Sequence, residues 1–200
     1  MEKETLMQMI EELKLDEKIE QDAIPNLDLY MDQVITLFED KLTHTKRYNE
    51  DKLLTKTMIN NYIKDKVLMP AVKKKYTKEH ILLMILLYDL KQILAIGDIK
   101  NLFGILIKDG EVSNEVLLSE IYQIIMELKL EEASAFQKEI SHIEESIYAK
   151  MEGVSLEDTD EEKIMSMLQV ILLTEKANYY KRLAEKIVDE KIVDKKIVNN

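Results

Sequence analysis

Cationic and amide side chains recur at helical spacing in one segment of the sequence. Lys56, Asn60 and Lys64 follow one another at intervals of four residues, with Thr57 and Asn61 beside them. This spacing places the side chains on one face of a helix. Lysine can neutralise a phosphate, and asparagine can form two hydrogen bonds with adenine in the major groove of DNA. The pattern therefore predicts a helix face suited to duplex DNA.

Three consecutive lysines, Lys73, Lys74 and Lys75, follow within ten residues of that helix. They lie between two short extended pieces, and we expect one small hairpin between about Leu68 and Tyr76. A basic hairpin of this kind can lie against the phosphates of an adjoining groove. Tyr62 and Tyr76 are predicted to pack this hairpin onto the helix.

The charge of the chain is distributed unevenly. Between Lys41 and Lys78 there are eleven basic and three acidic residues, a net charge of +8. The remainder holds 17 basic and 36 acidic residues, a net charge of −19. A basic island in an acidic chain is typical of a local electrostatic footprint for an anionic partner. The alternative is a charged face that only water solvates.

Helical periodicity runs through most of the chain, and four Gly and two Pro leave few turns. Thr55 is a suitable N-cap for the helix from about Lys56 to Lys66. A preceding helix is predicted from about Leu27 to Leu42, and a strongly apolar core helix from Lys78 to Leu94. The sequence therefore predicts an all-α protein with at most one small hairpin.

The C-terminal half is predicted to be a helical hairpin. Two amphipathic segments, roughly Asn114 to Met151 and Thr159 to Val188, are separated by Gly153 and an acidic stretch. Their apolar stripes exceed what one two-helix hairpin can hide. The rest of the chain could cover the surplus, and the other possibility is a second copy of the chain. We predict a symmetric homodimer with its seam in this half.

The sequence argues against several other functions. It has no Cys, no Gly-rich phosphate loop and one Glu-x-x-His pair, Glu139 to His142, where a di-iron bundle requires two. No enzyme activity, cofactor or metal site is therefore predicted. The longest apolar run, Ile81 to Tyr88, is too short to cross a bilayer, and the acidic N-terminus is unlike a secretory signal. These features favour a soluble, cytoplasmic protein.

The ordered set of motifs from Met58 to Phe103 resembles the MerR-type winged helix-turn-helix domain. The resemblance is carried by a tyrosine-ended helix, a Leu-x-Pro turn, a basic wing, a Tyr-Thr-x-Glu-x-Ile segment, a Leu-Lys pair and a terminal Asp-Ile-Lys. In this sequence they are Met58 to Tyr62, Val67 to Pro70, Lys73 to Ile81, Leu90-Lys91 and Asp98 to Lys100. The match is closer still to a domain-of-unknown-function family of low-GC Gram-positive bacteria, DUF1836, which resembles MerR proteins. That match is carried by Ile24 to Val34 and Leu54 to Tyr62.

The resemblance implies a fold, a set of domains and a function. The fold is a MerR-like winged helix-turn-helix with a small β wing, followed by a long helical hairpin. The expected domains are an N-terminal helical extension, 1–23, the winged domain, 24–105, and a dimerisation or sensing hairpin, 111–200. The function implied is a transcriptional regulator that binds double-stranded DNA, and the alternative is a protein-interaction adaptor with a degenerate winged fold. The predicted DNA-binding residues are Lys56, Thr57, Asn60, Asn61, Lys64, Lys73, Lys74 and Lys75.

Two residues depart from the MerR pattern. Asn60 stands where an arginine is expected early in the recognition helix. Lys66 stands where a glycine usually ends that helix, and lysine lacks the ease of glycine at positive φ.

Overall fold

The computed structural model describes residues 6–155 and 160–193. Helices contain 68% of these residues, which confirms the prediction of a mostly helical protein. The chain divides into two compact units. The terminal unit contains Met1–Asp16 and Lys129–Ala184, and the central unit contains Glu17–Leu128 and Glu185–Asn200.

The central unit contains short helices, two small sheets and the first part of a long helix. A single 3-10 turn spans Gln21–Ala23, and a second spans Thr43–Thr45. A π-helical turn, Val188–Ile192, also belongs to this unit and contacts the helix Ile96–Phe103. The regular elements are β1 (Leu29–Tyr30), α2 (Met31–Leu42), α3 (Lys56–Lys64), β2 (Lys75–Tyr76), α4 (Lys78–Leu90), α5 (Ile96–Phe103), β3 (Ile107–Lys108), β4 (Glu111–Val112) and the start of α6 (Glu115–Met151).

Helix α4 forms the core of the central unit. Every residue from His80 to Leu87 is buried, so this helix has neighbours on all sides. The prediction of a core helix here is confirmed. In the described residues, no helix combines the length and apolar character that crossing a bilayer requires.

The sheets differ from the prediction of at most one hairpin. The described residues contain two two-stranded antiparallel sheets, β1 with β2 and β3 with β4. The second sheet is a hairpin closed by Asp109 and Gly110, both at positive φ (54° and 83°). Asp-Gly is a preferred pair for a two-residue hairpin turn, so the prediction of at most one hairpin was wrong.

Helix α2 begins at Met31 and not at Leu27 as predicted. Leu29 pairs with Tyr76 and Tyr30 with Lys75, which requires extended backbone. Tyr30 then acts as the N-cap, with its backbone N–H donating to Oε1 of Gln33 at 2.8 Å. Pairing with a distant strand has therefore replaced the first turn of the predicted helix.

The terminal unit packs α1 (Leu6–Leu13) with α6 and α7 (Glu161–Ile187). Its core consists of Ile10, three α6 residues at spacings of three and four, and Met165 of α7. The α6 residues are Ile140, Ile143 and Ile147. Thr159, where α7 was predicted to begin, lies outside the described residues.

Candidate nucleic-acid interface

The outer face of α3 carries the polar residues that the sequence pattern singled out. Thr55 caps the helix by accepting a hydrogen bond from the backbone N–H of Met58 at 3.1 Å. Ile59 and Tyr62 are buried on one face of α3, so the opposite face of this helix points toward solvent. The exposed residues are Lys56, Thr57, Asn60, Asn61 and Lys64. All five predicted α3 residues therefore lie on solvent-exposed helix surface, as the i, i+4 spacing requires.

The end of α3 is a Schellman cap built on a lysine. Lys66 has a φ of 59°, and its N–H donates to the carbonyl of Ile63 at 3.0 Å. The N–H of Val67 donates to the carbonyl of Tyr62 at 2.9 Å. These are the two hydrogen bonds of the motif in which glycine normally supplies the left-handed residue. The chain therefore turns sharply here with a cationic side chain at the turning point.

The wing hairpin, residues 70–77, is closed by a two-residue turn. Val72 and Lys75 exchange both backbone hydrogen bonds, each at 2.9 Å. The residues between them, Lys73 and Lys74, have φ values of 50° and 68°. Positive φ at both central positions defines a type I′ turn, whose twist matches that of the flanking strands. Both lysines are exposed.

Lys75 differs from its two neighbours. It lies in β2 opposite Tyr30, and its Nζ is 5.2 Å from the centroid of the Tyr30 ring. This distance permits a cation–π interaction, and the side chain is half-buried. The structure therefore separates the three predicted wing lysines into two that are exposed on the turn and one that helps to anchor it.

One buried aromatic side chain lies at the base of the wing hairpin, and another lies on the inner face of α3. Tyr76 is 2% exposed and its ring meets that of His80 edge to face, with 5.6 Å between centroids. Tyr62 is 5% exposed, and Nζ of Lys91 lies 5.8 Å from the centroid of its ring. The prediction that Tyr62 and Tyr76 pack rather than contact a ligand agrees with this burial.

His80 ties the two ends of the wing hairpin together. Its Nδ1 accepts a hydrogen bond from the backbone N–H of Thr77, and its Nε2 donates to the carbonyl of Pro70, both at 3.2 Å. The ring is therefore neutral and protonated on Nε2. Burial lowers the pKa of His80, against the opposing effects of the Pro70 hydrogen bond and of the Glu79 and Asp28 carboxylates. Protonation of Nδ1 would also break its hydrogen bond to Thr77.

This arrangement predicts a pH dependence of stability. Because the pKa of His80 is lowered in the folded state, its contribution is complete above about pH 6.5 and is lost as the pH falls below that value. We expect the free energy of unfolding to fall with a slope of up to about 1.4 kcal/mol per pH unit from this one proton. Urea unfolding between pH 7.5 and 5 measures it. His80→Gln, which can still accept from the Thr77 N–H, should show a smaller slope. An equal slope in both proteins would contradict the assignment.

One predicted contact residue is ion-paired. Nζ of Lys56 is 2.7 Å from Oδ1 of Asp32, and both side chains are largely exposed (61% and 77%). Exposed pairs contribute little free energy, so a phosphate can replace this carboxylate. Sequence patterns did not indicate Asp32 or Tyr30, because their partners lie more than 20 residues away in the chain.

Comparison with known families places the chain in one of them. The family model for a domain of unknown function, DUF1836, matches residues 19–125, just over half of the chain. The chain belongs to the DUF1836 family. No curated protein and no solved structure matches it. The predicted membership is confirmed, and the relation of DUF1836 to MerR proteins remains a proposal.

The limits of the DUF1836 match coincide with a structural tie between the two ends of the domain. The hydroxyl of Tyr122 donates to the carbonyl of Ile19 at 2.6 Å, and both residues are buried. Nearby, Nε2 of Gln21 donates to the carbonyl of Ser119 at 2.5 Å. The first residues of the matched DUF1836 segment are therefore hydrogen-bonded to residues that lie a few positions before its end.

Proposed function

We propose that the protein is a DNA-binding transcriptional regulator with a MerR-like winged helix-turn-helix domain. In this proposal α2 and α3 form the helix-turn-helix, residues 70–77 form the wing, and α4 supports both. The winged domain spans 24–105, after an N-terminal extension, and the protein acts in the cytoplasm. One observation carries the proposal. Helix α3 exposes a polar face, and a turn that presents Lys73 and Lys74 follows within ten residues of its end.

The chemistry of α3 supports a reading role. A helix fits the major groove, where its exposed side chains can reach base edges. Asn60 lies at the centre of the exposed face, and its amide suits the paired donor and acceptor of adenine. Lys56 and Lys64, one turn to either side, would contribute charge beside it.

The wing supports a positioning role. Lys73 and Lys74 have no side-chain partner in the described part of the chain, so their ammonium groups are available to phosphates. Contacts to phosphates fix the register of a protein on duplex DNA without reading the sequence. The two groups of residues should therefore affect binding in different ways.

The test is a selection of bound fragments from genomic DNA, followed by affinity measurements for wild type and Asn60→Ala at several salt concentrations. We expect salt-dependent binding by wild type. Asn60→Ala should lose about 1–3 kcal/mol on the selected site and little on random DNA, because asparagine carries no charge. Asn101→Ala, which removes an exposed asparagine from α5 outside the predicted DNA-binding residues, is the matched control and should leave both affinities unchanged.

A wild-type protein that shows no salt-dependent binding to duplex DNA would refute the proposal. The basic surface would then fit an acidic protein partner, and an adaptor function would replace DNA binding.

A second part of the proposal is a symmetric homodimer formed by the C-terminal helical region, 111–200, which would dimerise or sense. Helix α7 presents Met167, Val170 and Ile171 along one face, and each is about half exposed or more. The opposite face of α7 packs in the core of the terminal unit through Met165, Leu168 and Leu172. An exposed apolar stripe on a helix is typical of an interaction surface. MerR-type proteins use such a seam to bind two half-sites.

A further inference from the structure

Four exposed lysines adopt a backbone conformation that lysine disfavours; one is Lys14 of the terminal unit, and the other three lie in the central unit. Lys66, Lys73 and Lys74 have φ values of 59°, 50° and 68°. In this left-handed region the Cβ atom crowds the following carbonyl oxygen, and glycine or asparagine is the usual occupant. Each lysine therefore lowers the stability of the fold relative to glycine at the same position.

Side-chain contacts within the chain do not offset this strain. In the part of the chain that the structure describes, none of the three lysines forms a side-chain hydrogen bond, an ion pair or an aromatic contact. Lys75 is different, because its ammonium group lies over Tyr30. The three left-handed lysines of the central unit thus present unpaired cations at two sharp turns.

The chain contains a direct comparison for the wing turn. The β3–β4 hairpin makes a turn with the same signs of φ, and there Asp109 and Gly110 occupy the two central positions. That pair is among those best suited to a type I′ turn, whereas Lys-Lys is not. The two turns have the same signs of φ and differ in charge, so the turn geometry by itself does not require lysine at positions 73 and 74.

We infer that Lys66 is an additional phosphate-contacting residue of the DNA-binding surface, alongside Lys73 and Lys74. No sequence motif assigns this role to Lys66. A helix lying in the major groove has phosphates beside its ends, and Lys66 immediately follows the last turn of α3. The inference rests on the proposed function. It adds that lysine at these three positions lowers the stability of the fold and in return provides a cation that can contact a DNA phosphate.

The test combines thermal unfolding with DNA binding for two strain-relieving variants. Lys66→Gly and the double variant Lys73→Asn/Lys74→Gly should each raise the Tm, by roughly 2–4 °C per replaced lysine. Both should weaken binding to random-sequence duplex DNA. The slope of log affinity against log salt should fall by about 1 for Lys66→Gly and about 2 for the double variant. Lys108→Gln, which removes an exposed charge beside the Asp-Gly turn, is the control and should change neither quantity.

The outcomes separate this inference from the proposed function. If wild type binds duplex DNA and Lys66→Gly binds with the same affinity and salt slope, the inference is overturned and the function stands. If Lys66→Gly lowers the Tm, the charge stabilises the C-terminal end of α3 and the inference is equally overturned. If wild type shows no salt-dependent binding at all, the proposed function fails first and the inference falls with it.

Discussion

Replacing Lys73, Lys74 and Lys75 together by alanine is expected to weaken binding to duplex DNA of every sequence alike. Each ammonium group that contacts a phosphate releases about one counterion, so its loss removes charge-driven affinity without altering base recognition. Because Lys75 lies over Tyr30, we expect only Lys73 and Lys74 to contribute fully. The salt slope should therefore fall by about 2, and affinity should fall roughly 30-fold near physiological salt.

Fluorescence polarisation with labelled duplexes over a range of salt concentrations measures both quantities. Lys75→Ala alone is the matched comparison, and it should change the salt slope little. A folded triple variant that keeps the affinity of wild type for chromosomal DNA would refute the assignment of the wing. Circular dichroism on the same samples establishes that the variant is folded.

Placing charge on the outer face of α7 is expected to convert a dimer into monomers. Val170 and Ile171 are 62% and 52% exposed, so glutamate at both positions is compatible with the fold of one chain. In a symmetric seam the same change places four carboxylates in apolar surroundings, which is strongly unfavourable without partners. We expect the dissociation constant to rise at least about 100-fold, equivalent to about 2.7 kcal/mol.

Sedimentation equilibrium over a wide concentration range measures the association. Ile93→Glu, at an exposed apolar position of the central unit (49% exposed), is the control and should leave association unchanged. A wild-type protein that remains monomeric at high concentration would contradict the dimer directly. Loss of helicity in the double variant would instead require Met167→Glu as a milder substitution on the same face.

The sequence predicted the outer face of α3 and the residue at which this helix begins, because each depends on residues only three or four positions apart in the chain. The i, i+4 spacing of Lys56, Asn60 and Lys64 determines a shared face wherever a helix forms. Thr55 supplies a capping oxygen within three residues of the N–H that it satisfies. The core position of α4 was equally clear, since an unbroken apolar run of this length has to be buried.

The second hairpin was missed although its signal is local. Asp109-Gly110 between Ile107 and Val112 is a strong short-range indication of a two-residue hairpin turn. Helical periodicity in the flanking segments favours helix, and the four residues of the two strands are too few to show an alternating pattern. Asp109 and Gly110 therefore determine this hairpin more than the hydrophobic pattern of the flanking segments does.

The sequence by itself determined the helical character, the face of α3 and the concentration of positive charge, because each depends on residues close together in the chain. Only the tertiary structure decided which lysines are available. Strand β1 pairs with β2 across 44 intervening residues, and this pairing brings Tyr30 under Lys75 beside the turn at Lys73 and Lys74. Nothing in a run of three lysines indicates positive φ or a cation–π partner. Those properties arise from contacts between segments far apart in sequence.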